Sequence, residues 1–296
     1  MMQDAGLANI HNTFIGQGIA SGDWTSTAST HNTGVGSGVM QGAMNAATYN
    51  VGIGVDALNA LTTGDNNVAV GYASGDAITT GVQNVMLGSA AGTALTIGQY
   101  NVAIGHEALL TETIGNTTVA IGYDALANQL SDSNNETTGN TAIGYGVGLE
   151  NTTGTSNTYL GYYAGRYNQT GVQNTYIGTE AGYGASGQQN SYNTAVGRHT
   201  LYAITTGTAN VVMGDDAGLA ITDGHDNVII GGSAAHTTTS VGLGVFIGRS
   251  VASADMEATA DGTVAIGYNA LDALTSGAGN VAIGYQAGDA ITTGSS

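Results

Sequence analysis

A short phrase recurs sixteen times in this chain: Thr or Val, a spacer, an aliphatic residue and a glycine, usually led by asparagine, as in Asn101-Val102-Ala103-Ile104-Gly105. The closing glycines run from Gly16 to Gly284, and ten of the fifteen intervals between them are seventeen residues. A fixed period this short means stacked coils, each buried against its neighbours, and excludes an ordinary globular core. The expected fold class is all-β, a parallel β-solenoid of about sixteen coils, with residues 1–296 forming one continuous repeat domain. At about 4.8 Å per coil such a stack would be roughly 75 to 80 Å long.

The columns of the repeat assign work to each position. Three residues before the glycine stand six Thr, such as Thr141, Thr158 and Thr175, and ten Val, such as Val51, Val68 and Val85. Both are branched at Cβ and suit a pleated strand. The residue before the glycine is always aliphatic or Met (Ile53, Val70, Leu87, Ile104, Met213), so the two columns share one face and are expected to bury together. The residue between them is often Ala, as at Ala69, Ala103 and Ala120, which brings the second face close to the far wall of the coil or to a neighbouring chain. Asn leads thirteen of the sixteen strands. Its amides either pass hydrogen bonds from coil to coil, as polar ladders do in cross-β assemblies, or satisfy their own turns.

After the glycine, Ala recurs at the third residue, Leu or Gly at the fourth, and Leu or Ile at the seventh. The half-coil then ends in turns such as Thr62-Thr63-Gly64 and Thr205-Thr206-Gly207. A positive φ at these glycines would let the chain reverse. The eight or so residues between turns fit a short strand or irregular edge better than a helical turn, although periodicity does not separate them.

Composition narrows the functional classes. The chain has 49 glycines, no proline and no cysteine, so backbone donors stay available along the stack and disulfides are excluded. Lysine is absent, and Arg166, Arg198 and Arg249 stand against 21 acidic residues for a net charge of −18. Binding to nucleic acid or to an anionic membrane, which needs Lys and Arg on phosphates, is disfavoured. No apolar run approaches a membrane span, and Met1-Met2-Gln3-Asp4-Ala5-Gly6 lacks the charged and apolar regions of a signal peptide. Asp4-Ala5-Gly6-Leu7-Ala8 copies Asp216-Ala217-Gly218-Leu219-Ala220, and the chain closes on Thr292-Thr293-Gly294-Ser295-Ser296. Both ends therefore read as cut in mid-coil, and are expected to be covered by more fibre or by the next copy stacked end to end.

The phrase Asn-Thr/Val-Ala-Ile-Gly-Tyr, with its following Ala-Gly and Thr-Thr-Gly, resembles the repeats of bacteriophage tail fibres and, more distantly, the head repeats of trimeric autotransporter adhesins. The resemblance covers essentially the whole chain. It implies a left-handed parallel β-roll, three associated chains, aliphatic strand residues filling the coil, and outward loops that bind surfaces. The repeat here is longer, and neither a coiled-coil stalk nor a membrane-anchoring barrel is present, which favours a virion or detached fibre on an extracellular or virion surface.

Candidate site residues compete with plainer readings. Asp215, Asp216, Asp223 and Asp226 with His225 offer paired carboxylates for glycan cleavage or oxygen ligands for Ca²⁺. Asp216, however, belongs to a column with Asp56, Glu107, Asp124 and Glu180, as expected for a solvated outer edge. Of these, Asp215 and Asp216 are the calcium candidates. His11 and His31 occupy matching positions and pair as metal ligands or simply lie exposed, with no third ligand evident. Tyr72, Tyr123, Tyr145, Tyr162, Tyr268 and Tyr285 follow the repeat glycine and form either an interchain seam or a platform for sugar rings. Solenoids tolerate insertions on one face, often the binding face. The inserted segments supply Trp24, Asp132, Asn135, Gln188 and Met256 as candidate contacts.

The sequence thus reads as a non-enzymatic structural and adhesive fibre segment. Its expected partners are itself, as a homotrimer or end-to-end stack, and a cell-surface glycan. The alternatives are a tailspike-like glycan depolymerase, an end-to-end filament without a receptor, and ice or mineral binding by a Thr array, for which only six of sixteen strands carry the Thr.

Overall fold

A computed structural model describes residues 11–22, 28–133 and 136–294. It is an all-β parallel solenoid with sixteen three-residue strands, one per coil, and among the described residues the only helical element is a 3-10 turn at Ala258–Ala260. The chain divides into two compact units, Met1–Gly146 and Val147–Ser296. The first holds β1 (Thr13–Ile15) to β8 (Thr141–Ile143), including β5 (Val85–Leu87) and β6 (Val102–Ile104); the second holds β9 (Thr158–Leu160) to β16 (Val281–Ile283), including β10 (Thr175–Ile177) and β11 (Thr194–Val196). Register follows the repeat. Val85, Met86 and Leu87 of β5 face Val102, Ala103 and Ile104 of β6, and Thr175, Tyr176 and Ile177 of β10 face Thr194, Ala195 and Val196 of β11.

The faces of the strands are the reverse of the expected ones. The middle residue points into the coil: Ala69, Ala103, Ala120, Ala142, Ala195 and Ala265 are fully buried, as are Val212, Ile229 and Phe246. The Thr/Val and aliphatic columns point outward and are half-buried or exposed. Space inside the narrow coil explains the choice. Where the middle residue is Ala103, Ala120 or Ala195, the fourth residue after the glycine is Leu109, Leu126 or Leu201, each buried. Where it is Met86, Tyr159 or Tyr176, that residue is Gly92, Gly165 or Gly182. A Cβ on these glycines would lie 2.3 Å from Met86 Sδ, 2.6 Å from Tyr159 Cε1 and 2.3 Å from Tyr176 Cδ2. Large and small side chains trade volume within one coil, as close packing requires.

The leading asparagines form ladders. Asn101 donates its backbone N–H and its Nδ2 to Asn84 Oδ1 at 3.0 and 3.2 Å, and its Nδ2 also to the Gly115 carbonyl at 2.9 Å. The same pattern joins Asn32, Asn50, Asn67, Asn84 and Asn101 in the first unit and ends on the Thr118 N–H. In the second unit it joins Asn157, Asn174, Asn193, Asn210 and Asn227 and ends on the Gly244 N–H. These fully buried amides are acceptable in the interior because each oxygen and nitrogen is matched by the next coil.

Among the described residues the second half-coil is a run of tight turns without a strand, so of the two expected forms the irregular edge is present and the short strand is not. Its second and fourth residues adopt positive φ, as at Glu107 (55°) and Leu109 (55°), which turns the chain too sharply for an extended strand, while backbone hydrogen bonds still join successive coils, as from the Leu109 N–H to the Ala125 carbonyl at 3.0 Å. The Thr-Thr-Gly glycines also differ from expectation. Gly64 and Gly207 are not in the positive-φ region; they are small because a Cβ would lie 2.4 Å from the Gly81 carbonyl oxygen and 2.6 Å from that of Gly224. The strand-closing glycines carry both constraints: at Gly105 φ is +136°, and a Cβ would lie 2.3 Å from the Gly122 oxygen.

Candidate functional site

Because strand side chains alternate, the residues five, three and one before each repeat glycine, and the one after it, lie on the same outward face. Its two central columns are apolar. Leu87 is 43 % exposed and Met213 47 %, and Ile53, Ile143, Leu160, Val211 and Ile230 are exposed with them. A row of large apolar side chains on a sheet face, repeated at every coil within each unit, far exceeds the scattered apolar exposure of ordinary surfaces.

Aromatic rings flank these columns and stack on one another. His106 lies on Tyr123, and Tyr123 on Tyr145, both at 5.1 Å between centroids and 7° between planes. In the second unit Tyr268 stacks on Tyr285 at 5.4 Å. On the other flank His11, His31 and Tyr49 stack at 4.9 and 4.8 Å, so the two histidines continue an aromatic column by their ring faces. Stacked rings present only their edges outward. A sugar ring needs a face, and these ladders leave none free between successive coils.

The inserted segments fare unequally. Trp24 and Asn135 lie outside the described residues. Asp132 is exposed, with its N–H donating to the Glu136 carboxylate at 3.3 Å. Gln188 is half-buried, and its carbonyl accepts from the Gln169 N–H at 3.3 Å. Met256 is fully buried and is withdrawn as a contact residue: the insertion folds its thioether into the coil, where an apolar side chain belongs.

The calcium candidates are already paired. Arg198 donates from Nε to Asp215 Oδ1 at 2.8 Å and from Nη2 to Asp215 Oδ2 at 3.0 Å and Asp216 Oδ2 at 3.2 Å. His199 sits between Asp216, 3.1 Å from Nδ1, and Glu180, 3.2 Å from Nε2. Arg198 holds the Asp215 carboxyl below its ordinary value. The Arg198 and His199 side chains therefore occupy the space between these carboxylates that a bound ion would take.

Two features went unread in the sequence. Glu112 stands fully buried in the column held by Leu61, Ile78 and Leu95 in earlier coils. Its Oε1 accepts the backbone N–H groups of Thr113, Ile114 and Gly115 at 2.9, 3.0 and 2.8 Å, and its Oε2 accepts from Ser131 Oγ at 3.0 Å. It thereby ties the long insertion after β7 (Val119–Ile121) to the preceding coil. The break in the aliphatic column at Glu112 and Gln129 was the available signal. The second is a tyrosine cluster in which the Arg166 guanidinium lies 4.1 Å over Tyr163 and 5.1 Å over Tyr167. Burial, with the neighbouring tyrosines, pushes the Tyr183 phenol up to about 12.

Comparison with known proteins finds no matching family model, no matching curated protein and no matching solved structure. Among the described residues no helix is long and apolar enough to cross a membrane.

Proposed function

We propose that this chain is a structural and adhesive fibre segment, of the phage tail-fibre or extracellular surface-filament kind, in which copies associate through the outward sheet face. The observation that carries this reading is the double apolar column exemplified by Leu87 and Met213. A specific interface takes about 800 Å² from each partner, and an apolar face repeated over the eight strands of one unit is an extended surface of the kind that contributes to one. Three chains around a common axis, with left-handed coils, is the arrangement that buries such a face on every copy and accords with the tail-fibre resemblance. The acidic turn edges, at a net charge of −18, keep the resulting fibres apart laterally, and the insertions that carry Asp132 and Gln188 remain outward for contact with a host or surface glycan.

The test is to replace Leu87 and Ile53 by Glu. The double variant should keep the strand signature in circular dichroism, lose self-association in sedimentation velocity, and lose retention on glycan-coated surfaces where that retention needs several copies. Self-association unchanged in the variant would refute the proposal.

A further inference from the structure

We propose that His106, Glu107 and Asp124 form a binding site for one divalent first-row transition-metal ion, with Zn²⁺ as its representative. His106 and Glu107 follow the closing glycine of β6, and Asp124 stands one coil later in the column of Glu107. Hydrogen bonds between coils fix the backbone of both acids, from the Glu107 N–H to the Ser89 carbonyl and from the Asp124 N–H to the His106 carbonyl, each at 3.0 Å. One ligand atom from each of the three side chains lies within 4.8 Å of the others, and His106 Nε2 is 3.7 Å from Glu107 Oε1. Small side-chain rotations close such a set onto an ion with ligand distances of about 2.0–2.2 Å. The Tyr123 ring stacked on His106 holds the imidazole plane, as residues behind a metal ligand do.

Two further observations support a cation at this place. Asp124 Oδ1 is buried and has no hydrogen-bond partner, which is costly for a carboxylate oxygen unless something positive meets it. The second is the contrast within one column. In the second unit, His199 separates Glu180 from Asp216 and Arg198 adds its charge. In the first unit, Glu107 and Asp124 follow one another directly, and residues 1–146 contain no Lys or Arg at all. Arg198 adds a fixed positive charge at one place, and the other has only the His106 imidazole. One imidazole nitrogen with two carboxylates suits Zn²⁺ and its neighbours better than Ca²⁺, which prefers oxygen alone. Three protein ligands leave the remaining positions to water or to an outside group.

The experiment is isothermal titration of the full chain with ZnCl₂, repeated with CoCl₂ for its visible d–d bands, on the wild type and on His106→Ala, Asp124→Asn and His199→Ala. Circular dichroism checks that each variant is folded. The expected result is one high-affinity Zn²⁺ per chain, weakened at least tenfold by His106→Ala and by Asp124→Asn and unchanged by His199→Ala, with Co²⁺ bands that disappear in the first two variants. No saturable Zn²⁺ binding by the wild type, or binding that His106→Ala and Asp124→Asn leave unchanged, would overturn the proposal. Should either variant unfold, Glu107→Gln takes its place, and unchanged binding in that variant overturns the proposal equally.

Discussion

Replacing Asn84 by Ala removes one rung of a ladder and should be among the most damaging single changes on a polar side chain here. Asn84 Nδ2 donates to Asn67 Oδ1 at 3.0 Å and to the Gly98 carbonyl at 2.9 Å, while its Oδ1 receives the Asn101 N–H and Nδ2 at 3.0 and 3.2 Å. All of these groups are fully buried, so water does not replace the lost partners. Four hydrogen bonds at about 0.5–1.5 kcal/mol each, with the Asn101 N–H left unsatisfied, give a loss of about 3–5 kcal/mol. In a solenoid each coil rests only on its neighbours, so the loss is felt first in the coils next to Asn84. Native-state hydrogen exchange is therefore the assay, read at the amides of Asn101 and Val85, with the exposed neighbour Gln83→Ala as control. Exchange at Asn101 should accelerate by at least a hundredfold in Asn84→Ala and stay near wild type in the control. Equal protection in the two variants would refute the ladder as a source of stability.

Gly105→Val places a side chain at φ +136° and against the Gly122 oxygen and should cost more than about 4 kcal/mol, whereas Asp132→Ala, on an exposed loop, should stay within about 0.5 kcal/mol; thermal melts compare them directly. Glu112→Ala leaves three backbone N–H groups without their acceptor and should destabilise the first unit by about 3–5 kcal/mol, visible as a lowered urea midpoint. Burial raises the Asp76 carboxyl above 3.8, so its contribution is fully favourable below pH 3.8 and is lost as pH rises through the folded value. Asp76→Asn should therefore raise the melting temperature at pH 7 and lose that advantage below pH 3.8. Tyr159 and Tyr176 are fully buried with phenols held above 10, and denaturant midpoints should fall as pH climbs past 10, where the unfolded chain ionises first.

Much of the fold was legible because the period is the structure: all sixteen strands coincide with the repeated three residues, and the buried column of Asn became the ladder. The inside and outside of the strand were not legible from hydrophobicity, since in a three-residue strand both columns are apolar and the narrow coil takes the middle one. Volume held the missing signal. The pairing of Ala103 with Leu109, and of Met86, Tyr159 and Tyr176 with Gly92, Gly165 and Gly182, marks the middle residue as interior and was present in the sequence. At the candidate sites, the acidic column looked uniform, because the sequence alone does not show that Arg198 and His199 reach Asp215 and Asp216 while no hydrogen-bond donor among the described residues meets Asp124 Oδ1. Met256 read as a loop residue because an insertion's path into the coil has no periodic signature.

We propose that the outward sheet face is covered by other copies of the chain, and the molar mass of the unmodified protein in solution tests this most directly. Sedimentation equilibrium over a hundredfold concentration range should give a mass three times the 29.4 kDa of one chain, or larger multiples of it, persisting to the lowest concentration. A single species of 29.4 kDa at every concentration would contradict it.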